Sequence, residues 1–403
     1  VSLVRPFGAW LPRPDLASAV ASPPLGELTT REWIELSSGN PLSFLHVIRT
    51  EIDSVEGGPD PAIPEVSGRA RLDEMIGGGV FHRPTDRGYF IYRIERGGHT
   101  ATGIIAEVHV AGYSDGRIRR HEHTRSATEE LVVDHLRRIG AHSDPVGLTH
   151  ADDDVLSGIV AGVCRSDAPA VAFTSGDVTH TIWVVDDAAT LAALQVRLDR
   201  LPALYITDGH HRCAACLRFA EERAMADPEH AGDEDYHYLL AALFPQSELR
   251  LLEFNRCLCG LGLQPDRVVE RLGTVVDAAP AATATPPRRG VVGVTTGDRI
   301  LRFDLPAPAG PGVRDALDVV RLQDAVLAPA FGIAHPRTDP RLHYVAASAT
   351  AAAHEECDVC FHLYPTAVED VMRIADLGEV MPPKSTWFEP KVWGGLFVDL
   401  LDG

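Results

Sequence analysis

Three stretches of the chain concentrate side chains that can hold anions, cations or protons. The first is Asp208-Gly209-His210-His211-Arg212, which follows the apolar run 203–206 and opens the helix-forming segment 212–225. A strand ending in a carboxylate, a glycine permitting close approach and a helix beginning in basic residues make a phosphate cradle. The free N–H groups and the positive end of the helix dipole favour an anion there, and Arg212 adds a charged fork. Its plain counterpart is a polar helix start with no ligand. The second stretch is Arg120-His121-Glu122-His123-Thr124-Arg125. A carboxylate among basic neighbours stays ionised near neutral pH, and can take a proton from a hydroxyl or hold a metal. The ordinary alternative is a solvated charged turn. The third stretch, MPPKSTWFEPK at 381–391, offers Lys384, Ser385, Thr386 and Lys391 on a backbone stiffened by prolines. It suits a rigid loop contacting phosphate, although lysines on loops are commonly just solvated.

The cysteines invite a zinc reading. Cys213 and Cys216 follow two histidines, and His354, Cys357, Cys360 and His362 have the spacing of a knuckle. Structural zinc needs two paired hooks at turns. Cys213 and Cys216 instead fall inside a predicted helix, where cysteine acts as a small hydrophobe. Neither a Walker-type phosphate loop, nor a protein-kinase motif set, nor a strand-linked G-x-G-x-x-G is present.

The elements that position these stretches alternate between strand and helix. An extended, Pro-punctuated N-terminal segment leads to a short helix capped by Thr30, then a strand-like run at 44–48, then a helix at 69–76 stopped by glycines. Residues 88–112 read as an antiparallel meander around Gly97-Gly98. The segment ending at Gly140 carries Leu131, Val132, His135, Leu136 and Ile139 on one predicted helical face, which puts 120–125 at a strand-to-helix junction. Short strands are expected at 146–150, 170–175, 179–186 and 236–245, loops around one or two strands at 278–313, and helix again near 313–332. The expected division is an N-terminal α/β region at 1–100, a catalytic core at 101–255, and a C-terminal α/β region at 256–403 that contributes the MPPKST loop.

With 403 residues the chain is long enough for two or three domains. Its 37 Lys and Arg against 57 Asp and Glu give a net charge of −20, which opposes a nucleic-acid footprint and suits a small ligand in a local basic pocket. Seven cysteines, an odd number, with no signal peptide and no membrane-length apolar run, make the cytoplasm the default expectation, with no membrane partner.

In order along the chain stand VRPF, the prolines at 23–24, NPLSFLHV, RRHEHTR, TDGHHR, FGIAHPRTDPR, LYPT and MPPKSTWFEPK. This collinear set resembles the bacterial "ten-fifteen" family of domains of unknown function, long relatives of the free L-serine kinases. The resemblance implies an α+β fold. Its centre is a ParB/sulfiredoxin-like phosphate-binding core, with additional mixed α/β elements and a C-terminal segment folding back to the site. In that superfamily a G-x-x-R turn holds nucleotide phosphates, and Gly209-His210-His211-Arg212 matches it.

It further implies phosphoryl transfer from ATP, or ADP, to the hydroxyl of free L-serine or a similar hydroxy-amino acid. Glu122 matches the family base, and Asp208 matches the second acid and would hold Mg²⁺. Lys384, Ser385, Thr386 and Lys391 would meet the phosphates. Arg120, His121, His123, Thr124 and Arg125 would face the acceptor, and a homodimer is compatible. Where the family often reads PPYD, this chain has Pro23-Pro24-Leu25-Gly26, without the phenol and the carboxylate; if that segment lines the acceptor pocket, the acceptor need not be serine. The alternative is a nucleotide-binding switch of the ParB type with no kinase activity.

Overall fold

A computed structural model describes residues 2–24, 29–48, 67–346 and 356–401. Leu25, Gly26 and His354, which figure in the expectations above, lie outside the described residues. The chain forms two compact units, Val1–Leu249 with Pro390–Gly403, and Arg250–Glu389. This replaces the three-part division. The expected boundary at 100 falls inside the strand His99–His109, whose antiparallel partners Tyr89–Arg96 and Tyr238–Pro245 lie on either side of it in sequence. A boundary there would cut a sheet, and strand pairing is a non-local property that composition does not display.

The first unit is built on a nine-stranded mixed sheet. From one edge it runs Ile118–Arg119, Leu204–Asp208, Val146–His150, Tyr238–Pro245, His99–His109, Tyr89–Arg96, Val178–Val185 and Val171–Ser175, with Val4–Arg5 also on His99–His109. The meander forms as expected. Gly97 and Gly98 have φ of 55° and 75°, the paired positive values a tight two-residue hairpin needs. Leu204–Asp208 pairs parallel to Ile118–Arg119 and antiparallel to Val146–His150.

The helices Ser126–Ile139 and His210–Ala226 pack together and feed one core: Val133 and Leu136 from the first, Cys213, Cys216 and Phe219 from the second, against Leu148, Leu204 and Ile206 of the sheet. Cys213 and Cys216 are therefore the buried hydrophobes expected. The face of Ser126–Ile139 differs, with Val133, Leu136 and Ile139 buried and Leu131 68% exposed. The apolar stripe is thus rotated from the one read off the sequence.

Two local expectations are corrected. Thr29, not Thr30, caps the helix Thr30–Ser37, through a reciprocal box in which Glu32 accepts the Thr29 N–H at 2.7 Å. The run at 44–48 is not a strand: Leu45–Ile48 is a single helical turn. Phe44, Leu45 and Val47 are all buried, and a continuous apolar run does not distinguish a buried strand from a buried helical turn. The C-terminal stretch returns to the first unit, where Asp399–Leu400 pairs with Ala141–His142.

The second unit carries a six-stranded, wholly antiparallel sheet in the order Ala279–Pro280, Arg299–Asp304, Val291–Thr296, Val359–His362, Phe254–Leu258 and Leu342–Ala346. Cys257 and Cys360, facing each other across neighbouring strands, form one disulfide, and Cys259 with Cys357 forms another. The knuckle spacing thus serves two disulfides, one across the paired strands and one just beyond their ends. No described helix is long and apolar enough to cross a membrane.

Candidate functional site

Asp208 ends its strand, Gly209 turns the chain and His210 begins the helix. Gly209 has φ 87° and ψ 34°, left-handed values that disfavour any residue with a Cβ, and an added Cβ would lie 2.8 Å from Arg212 Nε. The amides of His210, His211 and Arg212 precede the first intrahelical donor, since the Cys213 N–H bonds back to the Gly209 carbonyl at 2.9 Å. Three donors are left at the positive end of a 17-residue helix.

Around this turn the charges are clamped. Arg212 donates to Asp208 Oδ2 at 2.8 Å and to Asp144 Oδ2, and Lys391 donates to Asp208 Oδ1. Lys391, expected from the sequence, is therefore at the site. Burial pulls the pKa of Arg212 down to about 10, which leaves it charged at neutral pH. Arg212 Nε and His210 Nε2 are buried, and neither has a hydrogen-bond partner among the described residues.

The loop 120–125 links Ile118–Arg119 to the helix Ser126–Ile139, and it meets the turn because their strands are parallel neighbours. Glu122 Oε2 lies 3.9 Å from His210 Nδ1, on a side chain 54% exposed. The His121 and His210 rings meet edge to face at 4.5 Å. Burial pulls His210 down to about 3, helped by His211, Lys391 and Arg120. Burial also holds His121 well below the ordinary imidazole range, helped by His210 and Lys391. Both rings are thus neutral at physiological pH. The Arg125 amide donates to His211 Nε2 at 3.1 Å, tying the loop to the helix start.

The other expected residues divide. Arg120 is turned to Tyr113, whose hydroxyl accepts from it at 3.1 Å. His123 is exposed and Thr124 half-buried on the same loop. Lys384, Ser385 and Thr386 belong to the second unit. There Lys384, at φ 49°, sets its ammonium 5.7 Å from the Phe254 ring centre, and Ser385 Oγ accepts from Arg256 at 3.4 Å. Asp144 was missed by the sequence reading. It sits in the turn before Val146–His150, and only the adjacency of that strand to Leu204–Asp208 brings it to Arg212. No motif signals it.

The arrangement offers helix-start amides, unpartnered buried donors, two carboxylates on one guanidinium and a carboxylate at the rim. It can cradle an anion and move a proton beside it. No curated protein is significantly similar to the chain in sequence. Solved structures with a distant likeness include a free serine kinase variant with ADP, at 12% identity and TM-score 0.34 over 71% of this chain and 87% of that one. Free serine kinase with AMP gives 12% and 0.32 over 71% and 86%. C-terminally truncated SbnI from Staphylococcus aureus gives 11% and 0.35 over 74% and 89%. The model of a protein family of unknown function matches residues 4–320, most of the length, so the chain belongs to the DUF1015 family.

Proposed function

We propose that the first unit is a small-molecule phosphotransferase. In this reading the turn 209–212 holds the phosphates of ATP or ADP, and Glu122 deprotonates the hydroxyl of free L-serine or a similar hydroxy-amino acid. The observation that carries it is the buried Arg212 Nε donor and, in its Nε2–H tautomer, His210 Nε2, both without partners among the described residues, beside helix-start amides and a rim carboxylate. Buried donors without acceptors are costly, and phosphate oxygens would satisfy them. Phosphoryl transfer asks chiefly for positioning and charge neutralisation.

Asp208, and Asp144 on the same guanidinium, are hard oxygen donors of the kind Mg²⁺ takes. Held there, the ion would offset phosphate charge. Lys391 and Arg212, both now on carboxylates, supply the fixed positive charge, and the neutral His210 offers a hydrogen bond without adding repulsion. As the acceptor oxygen bonds to the terminal phosphorus and the bridging P–O bond breaks, the hydroxyl proton passes to Glu122. The acceptor class follows from the family resemblance. The protein would then act in the cytoplasm on soluble metabolites.

The test is incubation of the full chain with ATP or ADP, Mg²⁺ and a panel of free hydroxy-amino acids, followed by ³¹P NMR of the products. A phosphorylated amino acid is the expected result. Nucleotide binding with no phosphorylated acceptor would replace this reading by a binding-only switch.

A further inference from the structure

The second unit carries an open cavity of about 430 Å³, within the range of small-molecule sites. Two stretches singled out in the sequence meet on its wall: His335 and Arg337 from FGIAHPRTDPR, and Met381, Pro382 and Pro383 from MPPKST. Neither role proposed for the first unit uses these residues.

Arg256 sits on the same wall and is only 3% exposed. It donates to the carbonyls of Phe254 at 2.9 Å and Pro383 at 3.1 Å, and its guanidinium lies 4.6 Å from the centre of the Tyr344 ring. Tyr344 is fixed in turn by its hydroxyl, which donates to the Pro336 carbonyl at 2.6 Å. A buried cation normally has a carboxylate against it. Among the described residues, none is ion-paired with Arg256, nor with the exposed Arg314 and Arg337 at the same cavity. Asp324 is the one carboxylate in the lining. Among the described lining residues three guanidiniums stand against one carboxylate, a local excess of two positive charges in a chain whose net charge is −20. Val319, Val320 and the two prolines supply an apolar side.

We infer that this cavity binds a small organic phosphate monoester. The dianionic phosphate meets the guanidiniums, for which planar forked donors are suited. The organic part lies along the apolar side, and a hydroxyl or ammonium group of the ligand meets Asp324. The inference stands apart from the nucleotide reading of the first unit, because every lining residue belongs to the second.

The chain has four methionines, and Met381 lines the cavity, so its methyl resonance reports occupancy of this site. The full chain, labelled at methionine methyls and assigned with Met381→Leu, is titrated with O-phospho-L-serine, AMP, inorganic phosphate and succinate. At least one monoester should shift the Met381 methyl saturably. The Arg314→Ala/Arg337→Ala double variant, altered only at exposed positions, should weaken that binding by about tenfold or more. Inorganic phosphate should bind more weakly than the better monoester, and the two monoesters distinguish an amino-acid phosphate from a nucleotide as the source. The inference is overturned if neither monoester moves Met381, if the shift survives the double substitution, or if succinate or inorganic phosphate binds as well. Failure of nucleotide binding at Gly209–Arg212 would leave this readout unmoved, so the two readings fail separately.

Discussion

In the first unit imidazoles are prominent among the buried polar side chains. His121, His142, His180 and His210 are each at most 8% exposed, and burial keeps all four below the ordinary histidine pKa. Its cysteines, Cys164, Cys213 and Cys216, are free thiols. In the second unit the buried cation is Arg256, which stays charged, and all four cysteines are bridged. The larger sheet has a core broad enough to hold neutral polar rings without cross-links. The smaller one ties its central strands covalently, as small units with less buried surface do. One unit is consequently expected to respond to acid and the other to reductant.

The largest effect expected from this contrast is the response to reduction. The bridges close loops of 103 and 98 residues, and a loop of that size is worth about 4–5 kcal/mol for the first bridge, with less for the second because it is nested inside. Hydrogen exchange read by peptide, with and without a phosphine reductant, should show protection falling across Arg250–Glu389 while the nine-stranded sheet is unchanged. Equal loss in both units would break the comparison. Disulfides persist in oxidising compartments, so in a reducing cytoplasm the second unit would carry four thiols and the lower stability.

Next in size is Glu122→Gln, which keeps the side chain's shape but removes its basicity. Turnover in the acceptor assay should fall roughly 10²- to 10⁴-fold, with nucleotide affinity little changed. Retention of most of the turnover would remove Glu122 from the base role and leave the first unit a binding module, like the cavity inferred in the second.

Acid should act on the first unit. His180 is buried against Tyr92, Phe173 and Trp393, shares a 2.7 Å hydrogen bond between its Nδ1 and the Tyr92 hydroxyl, and has its pKa pulled down to about 4 by burial. Its unfolded form takes up a proton near pH 6.5 while the folded form does not. Its contribution is therefore fully present above that pH and is lost as pH falls toward 4, to a total of about 3 kcal/mol. The buried Glu107 and Asp399, whose pKa values burial raises, slope the other way, so the measurement is a difference. His180→Phe should flatten the decline in urea stability between pH 6.5 and 4, and an unchanged slope would contradict the assignment.

Lys391→Met is expected to have the smallest effect. It should weaken nucleotide binding by about 1–3 kcal/mol, the loss of one charged hydrogen-bond partner on a phosphate. Calorimetry on the full chain checks it, and unchanged affinity would confine Lys391 to holding Asp208.

What was legible in the sequence was local. The turn 208–212 could be seen because a short apolar run, a glycine and a helix-forming run lie side by side, and the hairpin at 97–98 because two glycines mark it. The cluster 120–125 was visible as a run of residues able to bind ions or protons. Its meeting with the turn depends on the parallel pairing of Ile118–Arg119 with Leu204–Asp208, which nothing in either stretch encodes. Asp144 was invisible for the same reason. Lys391 was picked by type, but its partner lies 183 positions earlier. The bridging of Cys257 to Cys360 likewise depends on which strands become neighbours.

That separation also governs when the clamp on Asp208 is complete. The ribosome delivers Asp208 and Arg212 long before Lys391, at roughly 5–20 residues per second. For roughly 10–40 s of synthesis the nascent turn holds its arginine but lacks its lysine, while the whole of Arg250–Glu389 is being made. A chain stalled or cleaved in that interval would display the strand, the glycine and the helix start without the full charge that clamps Asp208. Completion of the clamp therefore certifies that the second unit has already been translated.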